Sequence, residues 1–117
     1  MPKGYLILTE AIHDRAGMDA YAGTSGASIR EFGGRVLVAT EELDVLEGEW
    51  HGDRTIVVEF DSVEQARAWY GSESYQAGLP LRLASATCNA VTSVPGKKPV
   101  SLRAQLWLAL LKTNRPF

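Results

Sequence analysis

The chain has 117 residues, 45% of them hydrophobic and 22% charged, which is one domain's worth of sequence and excludes wholesale disorder. Twelve basic residues against fourteen acidic leave a formal charge of −2, with no electrostatic footprint for nucleic acid. A single cysteine, Cys88, excludes an internal disulfide and suits a reducing compartment, and no apolar stretch approaches the roughly 20 residues that cross a bilayer.

Met1-Pro2-Lys3-Gly4 runs directly into YLILTEAI (residues 5–12) without the layout of a secretory leader, so the expected location is cytoplasmic. YLILTEAI is a strand-length apolar run, expected to be buried on both faces. Asp14 then precedes a helix whose Met18, Tyr21, Ala22, Ser25, Ile29 and Phe32 recur at three- and four-residue spacings along one face. Gly23 and Gly26 weaken that helix by about 1 kcal/mol each relative to Ala, which suggests a close backbone approach there. Gly33-Gly34 ends it in the manner of a left-handed C-cap. RVLVAT (35–40) is a second strand, and the polar, acidic stretch 41–53 is a connection or hairpin arm ending in Trp50-His51-Gly52-Asp53. RTIVVEF (54–60), β-branched at its centre, is a third strand.

Ser62 and Gln65 have capping-box spacing ahead of a helix with Ala66, Trp69 and Tyr70 on its apolar face. Gly71-Ser72 breaks it. Two short helical pieces follow between 74 and 86, divided around Pro80. NAVTSV (89–94) is a fourth strand. Pro95-Gly96-Lys97-Lys98-Pro99 is a linker to a last helix beginning at Ser101. The order strand–helix–strand–strand–helix–strand defines an α+β fold, a ferredoxin-like βαββαβ sandwich, over residues 1–95. Residues 96–117 form a linker and an extra C-terminal helix.

In that topology one end of the molecule collects the exit of the first strand, the start of the third and the end of the second helix. His13, Tyr21, Trp50, His51 and Arg54 are expected there, together with Trp69, Tyr70, Tyr75 and Asn89. An apolar cleft with a few convergent polar groups is the usual small-molecule site. Arg54 suits an anionic or carbonyl group; its plain structural role is to pair with a carboxylate of the arm, such as Glu47 or Glu49. Histidine is the residue type best suited to proton transfer near neutral pH, so His13 is the candidate proton carrier, or else a solvated loop residue. Trp50, Trp69, Tyr21 and Tyr75 are either a wall for substrate or ordinary core packing. Glu49-x-His51-x-Asp53 has alternating spacing but no further ligand pair, so no metal is expected. Gly33-Gly34 follows a helix, whereas a phosphate loop precedes one. Cys88 sits among small residues and reads as a small buried hydrophobe.

Several segments resemble one small bacterial family, known as domain of unknown function 1330. They are Lys3-Gly4-Tyr5, Phe32-Gly33-Gly34-Arg35, Leu46-Glu47-Gly48-Glu49-Trp50, Val58-Glu59-Phe60-Asp61-Ser62, Ala66-Arg67-Ala68-Trp69-Tyr70, Ser74-Tyr75-Gln76 and Arg82. The resemblance covers roughly residues 3–95. It implies a dimeric α+β barrel, in which two ferredoxin-like protomers pack their open sheet faces together. Its wider superfamily includes cofactor-independent monooxygenases, muconolactone isomerases and haem proteins. Arg82 joins the candidate substrate-binding residues through this resemblance, which assigns no roles. Two functions follow as expectations. One is a small-molecule enzyme of monooxygenase or isomerase type, acting without a cofactor in an apolar pocket between sheet and helices. The other is a non-catalytic small-molecule-binding or accessory dimeric module. Haem is a weaker third, since it requires an axial ligand facing a large pocket. A homodimer is expected independently, because a sheet covered on one face only would leave a large apolar patch. The tail helix, apolar all round and too short to span a membrane, is expected to pack on protein.

Overall fold

A computed structural model describes residues 2–95 and Leu110. Along the chain run β1 (Gly4–Ile12), α1 (Arg15–Glu31), β2 (Arg35–Thr40), β3 (Arg54–Phe60), α2 (Val63–Tyr70), α3 (Glu73–Gln76), α4 (Leu79–Ser85) and β4 (Ala86–Ser93). The four strands form one antiparallel sheet in the order β2-β3-β1-β4. This is the expected ferredoxin-like arrangement, with the two strand–helix–strand halves interleaved. The expected C-terminal helix and its linker lie outside the described residues, apart from Pro95 and Leu110.

Burial alternates along β1. Leu6, Leu8 and Glu10 are buried, while Tyr5, Ile7 and Thr9 are half-buried. The expectation of a strand buried on both faces is therefore corrected for the described residues, whose helices cover only one face. Side chains of a strand point alternately to its two sides, so Leu6 with Val58 and Phe60 of β3 meets Met18, Tyr21 and Ile29 of α1 and Ala66 and Trp69 of α2.

Asp14 caps α1, its carboxylate accepting from the Gly17 N–H at 3.1 Å. The other end closes through Gly33, whose φ of +74° suits glycine. Gly34 N–H donates to Ile29 O and Gly33 N–H to Arg30 O, the two bonds of a Schellman turn. Two expectations for this helix change. Ala22 is exposed, and Ser28 takes its place on the buried face. Gly23 and Gly26 face open space or a flexible arginine; the close approach is at Gly17, where a Cβ would strike the Ser85 hydroxyl. Only half of the expected capping box forms at α2. Ser62 Oγ accepts from Gln65 N–H, but the Gln65 amide reaches across to Phe32 O. β4 begins at Ala86, three residues before the expected position. The Ser85 carbonyl accepts from both His13 and Asp14 N–H, which ends α4 beside Ile12 and lets Ala86 pair with it. The small residues 86–88 carry no strand signal of their own.

Candidate active site between sheet and helices

The sheet register sets a row of three polar side chains among apolar ones. Glu10 of β1 stands opposite Arg54 of β3 on one side and Cys88 of β4 on the other. All three share the helix-facing side with Leu6, Leu8 and Val58. Glu10 is fully buried, and neither carboxylate oxygen has a hydrogen-bond partner. The Arg54 guanidinium lies 3.9 Å from Oε1, beyond hydrogen-bond range. Burial pushes the Glu10 carboxyl above its ordinary range, against the opposing pull of Arg54 and Arg82.

The helices supply the roof. Tyr21 of α1 and Tyr75 of α3 are buried with their hydroxyls 2.9 Å apart and their rings edge to face. Arg82 is carried by α4, which starts with Pro80 in its first turn. It is buried, donates from Nε to the Tyr75 hydroxyl at 3.3 Å, and lies 5.9 Å from the centre of the Tyr21 ring. Burial works against its charge, but the Cys88 thiol and the two phenols outweigh that and hold the guanidinium protonated. Burial raises the Tyr21 phenol strongly, and it raises the Cys88 thiol despite Arg82 beside it. Trp69 closes the rear, its ring 4.1 Å from Tyr75 and its indole N–H donating to Ser28 Oγ at 2.9 Å.

From this compartment a ladder of alternating charge leads outward. Arg54, 21% exposed in its side chain, stands 3.6 Å from Glu41, and Glu41 accepts two bonds from Arg15 at 2.7 and 3.0 Å. Arg15 holds the Glu41 carboxyl below its usual range. Asp53 and Gly52 pin the end of the 41–53 arm across β1. The Asp53 carboxylate accepts from Ile12 N–H at 2.8 Å, its own N–H donates to Glu10 O, and Gly52, at φ +85°, leaves no room for a Cβ against that carbonyl.

The expected gathering is thus split by the sheet. Tyr21, Trp69, Tyr75 and Arg82 line the compartment, with Arg54 at its rim. Trp50 and His51 lie on the opposite, open face: the Trp50 indole donates to Thr55 Oγ1 at 2.8 Å, and His51 Nδ1 lies 2.8 Å from the Thr9 hydroxyl. Asn89 faces that side too, opposite Thr9. His13 is exposed at the β1–α1 turn. Arg54 does pair with an arm carboxylate, but with Glu41 in place of Glu47 or Glu49. The residue missed by sequence reasoning is Glu10. Its signal was the alternation Leu6-x-Leu8-x-Glu10, which puts an acid on the covered face once the run is read with period two.

On the open face, Val38, Val57, Ile7 and Val91 form one apolar row across all four strands. A polar row of Thr40, Thr55, Thr9 and Asn89 borders it on one side, and Arg35, Glu59, Tyr5 and Ser93 border it on the other. Among the described residues no group of three or more His, Cys, Asp or Glu side chains converges as a metal site, and no helix is long and apolar enough to cross a membrane.

The family model for a domain of unknown function (DUF1330) matches residues 3–96. The chain belongs to this family. No curated protein sequence matches DUF1330's member described here. A protein of unknown function from Rhodopseudomonas palustris shares its fold with a TM-score of 0.70 at 17% identity, over 83% of this chain and 85% of that one. A dimeric, ferredoxin-like protein of unknown function from Bacteroides fragilis is similar at 0.56 and 12%, over 80% and 96%. SnoaB, a cofactor-independent oxygenase from Streptomyces nogalater, is similar at 0.58 and 9%, over 86% and 100%. At these identities the likeness is one of fold.

Proposed function

We propose that this DUF1330 protein is a small-molecule enzyme of cofactor-independent monooxygenase or isomerase type, working between its sheet and its helices as a homodimer. One observation carries the reading: a fully buried carboxylate, Glu10, with neither oxygen hydrogen-bonded, in a closed compartment with two guanidiniums and two phenols. Buried polar groups are nearly always satisfied, so an orphan carboxylate beside two guanidiniums points to a functional site. The likeness in fold to a cofactor-independent oxygenase agrees with it. The step suited to these residues is proton transfer at an activated carbon next to a carbonyl. Arg54 orients the oxygen and Trp69 and Tyr75 exclude water. His13, exposed at the strand exit, is at most a carrier between this compartment and solvent.

The dimer rests on the open face. The row Val38, Val57, Ile7 and Val91 is apolar at all four positions, and Val38 and Val91 are exposed in the single chain. Burying it against a second copy removes the kind of patch that monomers seldom carry.

A second reading has its own support. Trp69 and Tyr75 fill the rear of the compartment, as they would in a non-catalytic binding or accessory module. A screen of small carbonyl compounds, read by the indole N–H resonance of Trp69 and by turnover, separates the two. Ligands that shift Trp69 and are converted support the enzyme. Ligands that shift it without conversion, under all conditions, favour the module. No shift with any ligand removes the compartment as a site.

A further inference from the structure

We propose that the compartment takes a neutral, enolisable carbonyl compound, whose proton passes to Glu10 and whose enolate oxygen is held by Arg54 and Arg82. This rests on the functional reading above and specifies its substrate class. The charges decide the class. Glu10 faces Arg54 and Arg82, with Cys88 and the Tyr21–Tyr75 phenols beside them and Glu41 behind Arg54. One carboxylate against two guanidiniums leaves the interior one positive charge in excess. An anionic ligand would face the buried carboxylate directly. A neutral one can yield a proton to that carboxylate and keep the total charge of the compartment unchanged, while its new negative charge falls on the guanidiniums. Fixed donors aimed at a charge that develops during reaction, in a site without water, are the most effective arrangement for this.

The site has the parts for each atom. Both Glu10 oxygens are free to accept a proton, because neither is engaged by a hydrogen bond. Arg54 stands beyond hydrogen-bond range of both Glu10 and Glu41, at 3.9 and 3.6 Å, so its donors can turn to an oxygen without breaking a short bond. The bookkeeping of the step is closed. Glu10 removes a proton from the carbon next to the carbonyl. The C–H electron pair becomes the carbon–carbon double bond, and the carbonyl π pair moves onto oxygen. Return of the proton from Glu10 to the same carbon is exchange; where the substrate carries a conjugating carbon–carbon double bond, its return to the far carbon of the dienolate gives an isomer. Either way the carboxylate is restored, with nothing oxidised or reduced.

Two probes test this. 4-Nitrophenol, whose acidic O–H stands for an enol and whose anion is coloured, is added to the full chain at a pH where the free compound is mostly protonated. Cyclohexanone in deuterium oxide reports proton abstraction through deuterium uptake at its α-carbons. Wild-type protein is expected to raise the phenolate fraction of bound 4-nitrophenol about tenfold, equivalent to one pKa unit, and to accelerate deuterium uptake. Glu10→Gln should bind the phenolate more tightly, having lost the opposing carboxylate, and lose about 10²–10⁴-fold in deuterium uptake, the usual worth of a general base. Arg54→Met should lose the phenolate enrichment. If it does not fold, Glu10→Gln decides alone. Bound nitrophenol that stays protonated, or Glu10→Gln exchanging as fast as wild type, overturns the proposal. If Trp69's indole resonance still shifts in that event, the compartment remains a binding site and only the substrate class is wrong. No shift with either probe removes both.

Discussion

Replacing Glu10 by Gln tests the energetic premise without any ligand. Taking a carboxylate out of water costs several kcal/mol even after relaxation. Arg54 at 3.9 Å returns about 4 kcal/mol at an effective dielectric of about 20, and it divides that attraction with Glu41. Burial outweighs that return, which is why the carboxyl is raised. What remains is the absence of hydrogen bonds to both oxygens, a deficit of about 1–3 kcal/mol. The isosteric amide occupies the same volume, and its unpaired atoms, being uncharged, cost less than the carboxylate's; Arg54 keeps Glu41 and Arg82 keeps the Tyr75 hydroxyl, so Glu10→Gln should stabilise the fold by about 1–3 kcal/mol at pH 7. For a domain of this size, each kcal/mol raises Tm by about 4–8 °C.

The pH dependence fixes the cause. Because the Glu10 carboxyl is raised in the folded protein, the native state holds that proton more firmly than the unfolded chain does. Its contribution to stability is then fullest below the ordinary carboxylate value and is lost as pH rises through the folded value. The advantage of Glu10→Gln should therefore be largest at pH 7–8 and should shrink on acidification towards pH 5. Urea denaturation at several pH values measures it. A variant less stable than wild type at pH 7, with a gap that does not change with pH, would mean that the carboxylate is fully satisfied by its arginines.

Three further outcomes follow from other parts of the fold. If the open face carries the proposed dimer, Val57→Lys, in the centre of its apolar row, should give a 12.8 kDa chain in sedimentation while leaving its circular dichroism unchanged. Gly33→Ala forces a side chain into φ +74° and should cost about 1–2 kcal/mol in urea denaturation. Trp69→Ala empties a site that is 1% exposed and removes the indole donor to Ser28 Oγ, with an expected loss of about 3–5 kcal/mol by the same measurement.

The architecture was legible because strand-length apolar runs, capped helices and glycine stops recur in an order that admits few topologies. Asp14, Ser62, Gly33 and Pro80 each act locally as their chemistry dictates. The site was less legible because sequence distance does not say which side of a sheet a loop will cover. Residues 50–54 are contiguous, yet Trp50 and His51 fold over the open face while Arg54, the first residue of β3, points to the other. The pivot is Gly52-Asp53, whose bonds to the Glu10 and Ile12 backbone exist only once β1 and β3 are paired. Glu10 was hidden for a different reason. Its neighbours on both sides are apolar or small, so a run with period two resembled an unbroken hydrophobic one.

The most direct test of the compartment as a working site is the carbon-13 signal of the Glu10 side-chain carboxyl, recorded in glutamate-labelled protein and assigned through Glu10→Gln. Without ligand it should titrate above the other glutamates, since burial raises it. On addition of 4-nitrophenol at constant pH it should move towards its protonated position as the ligand's proton is handed over. A Glu10 signal that titrates with the surface glutamates and does not respond to the ligand would contradict the account.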